Sequence, residues 1–222
     1  MAHYILRLVT DRLKPKAALV DKLPAANRII YVAEGITTVT TGEVTATLAA
    51  NSGWFHTGKI DITAGAEGSI LLLYELLPLP QSDDGIATGE GVESLATLDA
   101  KLDLNDADGY LMRCDKVELP PGGIAYTHTH QGSGIRCLLE GGFNVTVDGN
   151  TKLIGPYEAW FEAGPDPVCA WAPNDKPGHF SRVMILPRQI QNQSSIRYVN
   201  AEDAEKPKLQ KYTILVDAFI DI

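Results

Sequence analysis

Tyr31-Val-Ala-Glu34-Gly35 and Cys137-Leu-Leu-Glu140-Gly141 stand 106 residues apart, and the register between them holds without a gap as the chain runs on. Val39-Thr40 falls on Val145-Thr146, Thr45 on Thr151, and Trp54-Phe55 on Trp160-Phe161. Seven of the 25 residue pairs over 31–55 are identical, and a rare Trp-Phe dipeptide in register makes chance a poor explanation. One architecture is therefore written twice. Each copy reads as β: residues 28–33, 36–40, 44–49, 135–139 and 143–147 are short segments rich in Val, Ile and Thr, separated by Gly or Asp-Gly. Asp148-Gly149 predicts a hairpin tip, because both residues tolerate the positive φ of a tight primed turn. Short strands at this spacing indicate an all-β sandwich or barrel.

Between the copies the pattern changes. Residues 80–91 carry Gly, Asp and Ser in the composition of a loop, and residues 92–102 place Leu95, Leu98 and Leu102 at helical spacing. This predicts a first barrel over residues 1–78, a linker with a short helix over 79–107, and a second barrel over 108–222. The tail is polar until Tyr212-Thr-Ile-Leu-Val216, which reads as a closing strand that packs back.

Composition narrows the possible partners. At 222 residues and 45% hydrophobic the chain can bury a core, which excludes disorder and fibre. Nineteen Lys and Arg against 28 Asp and Glu give a net charge of -9, with no basic stripe, which argues against nucleic acid and anionic membrane surfaces. The longest apolar run, around Ile70 to Leu77, contains Glu75 and is far below the ~20 residues of a membrane span. The first residues carry charge within their apolar stretch and no secretory cleavage pattern follows, so the expected location is cytoplasmic. Cys114, Cys137 and Cys169 lack C-x-x-C spacing, which speaks against a disulfide framework and a thiolate zinc site; they are expected to be small core residues.

The chemistry concentrates in Pro120-Pro-Gly-Gly-Ile-Ala-Tyr126-Thr-His128-Thr-His130-Gln-Gly-Ser-Gly134-Ile-Arg136. On a strand, His128 and His130 share a face. Two neutral imidazoles so placed offer two adjacent ligand positions to Zn, Fe, Mn, Ni or Cu; a pair of surface histidines is the plainer alternative. Tyr126 is in phase with His128, so its hydroxyl is a candidate donor to a bound oxyanion.

Gly122, His128-Thr-His130 and Glu140-Gly141 together resemble the first motif of the cupin superfamily. The resemblance implies a bicupin: two tandem cupin-type (jelly-roll) β-barrels. It covers roughly residues 28–78 and 110–188. A cupin usually ligates a divalent transition metal through both motif-one histidines, a motif-one Glu and a motif-two His. Here Gly134 stands where that Glu belongs, and Glu162-Ala-Gly164-Pro-Asp166-Pro-Val168 contains no His. Strand alternation puts Glu158, Trp160 and Glu162 on one face. Glu162 is thus the first candidate for a third ligand or catalytic base, with Glu158, Asp166 and His179 behind it. Arg136, expected to face the cavity, must be paired: it either holds a substrate carboxylate or bridges to Glu162. At the repeat offset His128, His130 and Arg136 fall on Lys22, Pro24 and Ile30, and Glu162 on His56, so the first copy lacks the ligand set and reads as structural or as an interaction surface. The expectation is a protein that binds a divalent metal and a small, anionic, carboxylate-bearing molecule in its second barrel, of oxygenase, isomerase or decarboxylase type. A non-catalytic binding or sensor module and a structural, dimerising bicupin without metal are the alternatives. A homodimer is implied by the resemblance and by strand edges that need cover.

Overall fold

The structure is a computed structural model that describes residues 2–80, 86–105 and 107–222. It divides into two compact units, one running to Ala107 and the other covering Asp108–Asp221. The first contains β1 (Ala2–Leu13), β2 (Ala18–Leu23), β3 (Asn27–Thr41), β4 (Val44–Ala49), β5 (Gly53–His56), β6 (Ile60–Pro78) and β7 (Val92–Leu104). They form one antiparallel sheet in the order β4-β3-β6-β1-β7, with β2 on β6 and β5 on β3. Its core gathers Val9, Ile30, Val32, Ile62, Leu71 and Leu73.

The second unit contains β8 (Tyr110–Leu119), β9 (Ile124–His130), β10 (Gly134–Gly141), β11 (Phe143–Val147), β12 (Asn150–Ile154), β13 (Ala159–Glu162), β14 (Val168–Trp171), β15 (Gly178–Pro187), β16 (Ile196–Tyr198), α1 (Ala201–Glu205) and β17 (Lys211–Ile220). Two five-stranded sheets result, β13-β10-β15-β8-β17 and β12-β11-β14-β9-β16. Residues from both sheets meet in one apolar cluster around Phe143, Trp160 and Phe180, whose ring centroids lie 5.0–5.8 Å apart. The Asp148-Gly149 hairpin forms as the turn chemistry predicts, with φ of 49° and 75°. The tail packs back as β17 along β8. Cys114 and Cys137 are buried, Cys169 is half-buried, and all three are free. No helix among the described residues is long and apolar enough to cross a membrane.

The repeat is reproduced in strand register. Trp54 and Phe55 stand opposite Ile30 and Ile29; Trp160 and Phe161 stand opposite Arg136 and Ile135. The repeated Glu-Gly also has a physical reason. Gly35 and Gly141 both hold positive φ, 79° and 83°, and a Cβ there would run into the carbonyls of Gly68 and Pro177.

The expected linker helix is a correction. Residues 92–104 form strand β7, paired with β1 along its length. The helical spacing of Leu95, Leu98 and Leu102 coincides with an alternation, Leu98, Ala100, Leu102, Leu104, and the open edge of β1 supplies the hydrogen bonds that decide between the two readings. Ala100, Leu102 and Leu104 are buried, whereas Leu95 is 63% exposed. β7 is thus the counterpart of β17. Arg7 of β1 donates from Nε and Nη2 to Asp99 of β7 at 2.9 Å each, and Arg113 of β8 makes the same two 2.9 Å bonds to Asp217 of β17. The repeat therefore reaches beyond the segment where sequence identity shows it.

Asp11, on the core side of β1 with Val9 and Leu13, is 1% exposed and neither carboxylate oxygen has a hydrogen-bond partner among the described residues. Burial pushes its pKa up to about 6, with help from Glu75 and against the opposing influence of Ser94 and Arg28. A carboxyl whose pKa is raised by folding favours the fold while protonated, so stability declines as pH rises from about 4 through about 6. Asp11→Asn is expected to remove that decline. The gap between variant and parent in urea-unfolding free energy should widen by about 2 kcal/mol from pH 4 to 7, and an unchanged gap would count against a charged Asp11 in the core.

Candidate functional site

A small cavity in the second unit, about 30 Å³, is lined by His128, His130, Arg136, Trp160, Glu162 and Arg182, among others. The four elements that supply these side chains are β9, β10, β13 and β15. The cavity has room for one or two waters or a single ion.

β9 does not alternate strictly. Val168 of β14 pairs with His128, Ala170 pairs with Ala125, and the bulge between them shifts the phase of the strand. Ala125, His128 and His130 consequently face the cavity, and Tyr126, expected to do so by alternation, does not line it. Its ring instead lies beneath Lys206 and Lys208, with their Nζ atoms 5.0 and 5.6 Å from the centroid. Tyr126 contributes through its backbone: His128 Nδ1–H donates to its carbonyl at 2.7 Å.

That bond sets the rest of the network. With its proton on Nδ1, His128 presents a lone pair on Nε2, and His130 Nε2–H donates to it at 3.2 Å. Glu162 Oε1 accepts from Trp160 Nε1–H at 2.8 Å. Glu162 Oε2 lies 2.8 Å from Arg136 Nη2, its ion-pair partner, and 2.8 Å from Nε2 of the neutral His130; neither contact has hydrogen-bond geometry, so Oε2 is buried without a hydrogen-bond partner among the described residues. Arg136 Nη1 donates to the Gly134 carbonyl at 2.6 Å. Next along the sheet, Arg182 of β15 donates to Asp115 of β8 from Nε (3.1 Å) and Nη2 (2.6 Å).

Electrostatics follow from burial and pairing. Burial tends to raise the Glu162 pKa, but the Arg136 charge and the neighbouring His130 and Trp160 outweigh it and hold the carboxyl well below the usual range. Burial, reinforced by Arg136, pulls His130 down to about 3 against the attraction of Glu162; burial also lowers His128. Both imidazoles are neutral at pH 7, and the Arg136–Glu162 and Arg182–Asp115 pairs balance one another.

Of the residues singled out in the sequence, His128, His130, Glu162 and Arg136 come together, and Arg136 bridges to Glu162. Glu158 instead accepts from the Gly155 N–H at 3.0 Å and pairs with Lys152, while Asp166 is exposed. His179 faces Glu118 and Glu140 across neighbouring strands. His56 stands opposite Arg28 in the first unit. Arg182 and Asp115 also belong to the site and are not among the residues that spacing singles out. Their signal was present: a charged residue in the middle of Phe180-Ser-Arg182-Val-Met-Ile-Leu is unfavourable unless paired inside.

The donor set does not suit the metal that the cupin resemblance implies. Among the described residues, no group of three or more His, Cys, Asp or Glu side chains is placed to hold an ion. His128 has the outer hydrogen bond that a ligating imidazole needs, but His130 Nδ1 is buried with no acceptor among the described residues, so coordination through Nε2 would strand an N–H. Glu162 already faces a cation. Position 134 cannot carry a ligand, because a Cβ there would meet Met184 and the Val183 carbonyl at 2.5 Å.

No family model matches the chain, and no curated protein matches it. Solved structures do. A mutant of Bacillus subtilis oxalate decarboxylase shares 13% identity at a TM-score of 0.64, covering 91% of this chain and 73% of that one. AerE from Microcystis aeruginosa shares 14% at 0.61, covering 82% and 88%. A further oxalate decarboxylase structure, described for its Mn(II) centres, shares 15% at 0.63, covering 91% and 74%. At these identities the likeness is one of fold, and it supports a cupin fold for this chain.

The network makes a spectroscopic prediction. His130 should stay neutral, its imidazole ¹⁵N shifts unchanged between pH 7.5 and 5, with the proton on Nε2 and on Nδ1 in His128; titration of His130 near pH 6.5 would contradict the buried arrangement.

Proposed function

We propose that the second unit is a small-molecule-binding cupin domain that recognises a carboxylate-bearing ligand and works without a resident metal. The observation that carries this reading is the Arg136 guanidinium 2.8 Å from Glu162 Oε2 inside the cavity. A fixed positive charge already stands beside the carboxylate and imidazoles to which the family resemblance would bring a cation. Arg136 and Arg182, 1% and 5% exposed, are both planar donors suited to carboxylate recognition. The name of one structural neighbour, oxalate decarboxylase, points to the same ligand class.

The competing reading, a metal-dependent enzyme using His128, His130 and Glu162, is favoured by one feature: His128 and His130 line the same cavity with their Nε2 atoms 3.2 Å apart. Metal analysis of protein purified without a histidine tag separates the two. Less than about a tenth of an equivalent of Zn, Fe, Mn or Ni, unchanged in His128→Ala, is expected; near-stoichiometric metal lost in that variant would overturn the metal-free reading. Dimerisation through an uncovered strand edge is a separate proposal, contradicted by a monomeric mass in light scattering at micromolar concentration.

A further inference from the structure

The inner cavity of about 30 Å³ is too small for an organic ligand. A second cavity of about 220 Å³ shares two of its wall residues, Arg182 and Tyr212. Its other walls include Ile214 and the Asn192–Ser195 segment. Tyr212 lies on β17, the strand formed by the C-terminal tail, and the Arg182 guanidinium carbon sits 5.3 Å from its ring centroid.

The two arginines of this cavity differ in what they have left to offer. Arg113 is fully engaged: Nε and Nη2 bond Asp217, Nη1 donates to the Gln193 carbonyl at 2.7 Å, and Nη2 also donates to the Ile190 carbonyl at 2.9 Å. It fixes the loop rather than a ligand. Asn192 N–H donates to Asp217 Oδ2 at 2.7 Å, so the same ion pair holds the first half of the segment, from Ile190 to Gln193. Arg182 spends Nε and Nη2 on one oxygen of Asp115, and Nη1 has no hydrogen-bond partner among the described residues. The result is a preformed chamber with a rigid polar loop on one side and, on the other, a guanidinium with one uncommitted edge resting on an aromatic ring.

Building on the metal-free binding reading, we propose that this chamber is the ligand seat, and that a small monocarboxylate binds there with one oxygen on Arg182 Nη1 and its body against Tyr212. One uncommitted nitrogen beside a neutralising Asp115 suits a single carboxylate and not a phosphate or a polyanion. The volume, below that of drug-sized sites, suits a metabolite of a few heavy atoms. The inner network of His128, His130, Glu162 and Arg136 then acts as a polar support behind the seat. Arg182, which lines both cavities, joins the two.

The test titrates acetate, glycolate, lactate and benzoate into full-length protein, read by ligand-observed NMR and calorimetry. Ser194→Trp fills the chamber from its loop side, and Tyr212→Leu removes the ring without unpairing Asp115. Binding of at least one acid is expected, weakened tenfold or more by either substitution, while lactamide in place of lactate loses binding. Arg182→Lys, which keeps a charge for Asp115, should weaken binding by a similar factor. Near-UV circular dichroism identifies any variant that has lost its fold, and the remaining variants decide. Binding unaffected by Ser194→Trp and Tyr212→Leu would overturn the chamber as the seat while leaving the carboxylate reading intact. No binding of any acid to the parent protein would overturn both.

Discussion

Glu162 is a carboxylate buried against a guanidinium, and the second unit is arranged around keeping that charge balanced. A buried carboxylate without a counter-charge would take up a proton. Arg136 prevents this at 2.8 Å, and Trp160 Nε1 fixes the other oxygen. The neutral state of His130 follows partly from the same charge, because the guanidinium beside it opposes a second cation. Arg182 repeats the logic with Asp115 one strand away. Partners left behind by a lost member of such a pair are strongly destabilising, so these positions constrain one another.

The two units place their charges differently on one scaffold. In the first, Arg28, Glu75, Arg7 and Asp99 stand in one cross-strand row, and the next row, Trp54, Ile30, Leu73 and Val9, is apolar. In the second, the matching first row reads Gly134, Met184, Arg113 and Asp217, and the next reads Trp160, Arg136, Arg182 and Asp115. Arg7–Asp99 and Arg113–Asp217 are common to both and tie the edge strands β7 and β17 to their sheets. The inner pair of charges has moved by one row, from Arg28–Glu75 to the Arg136 and Arg182 level. That displacement brings guanidinium groups to His128 and His130 in the second unit, whereas the first has Ile30 and Leu73 at the same level.

Much of the fold was legible because it rests on local periodicity and turn chemistry. The 106-residue repeat, the Asp148-Gly149 hairpin and the closing strand all follow from segments whose side chains and turn residues point one way. Residues 92–104 were not legible: their leucines satisfy a helical and an alternating pattern together, and the partner that chooses, the free edge of β1, lies about 90 residues earlier. The site was half legible. His128, His130, Arg136 and Glu162 stood out by spacing and by charge, but Tyr126 was misplaced because a bulge against β14 has no signature in β9 itself.

By itself the sequence determined a twice-written β architecture, the strand that carries the histidines, and the need to pair Arg136. Each is a property of neighbours in the chain or of a single buried charge. Only the tertiary structure decided that Arg136 faces Glu162, that His130 Nδ1 lacks an acceptor among the described residues, and that Arg182 and Tyr212 line both cavities. Those facts depend on which strands lie side by side and in what register. Register is fixed by the fit of whole sheets, and no local segment of the chain records it.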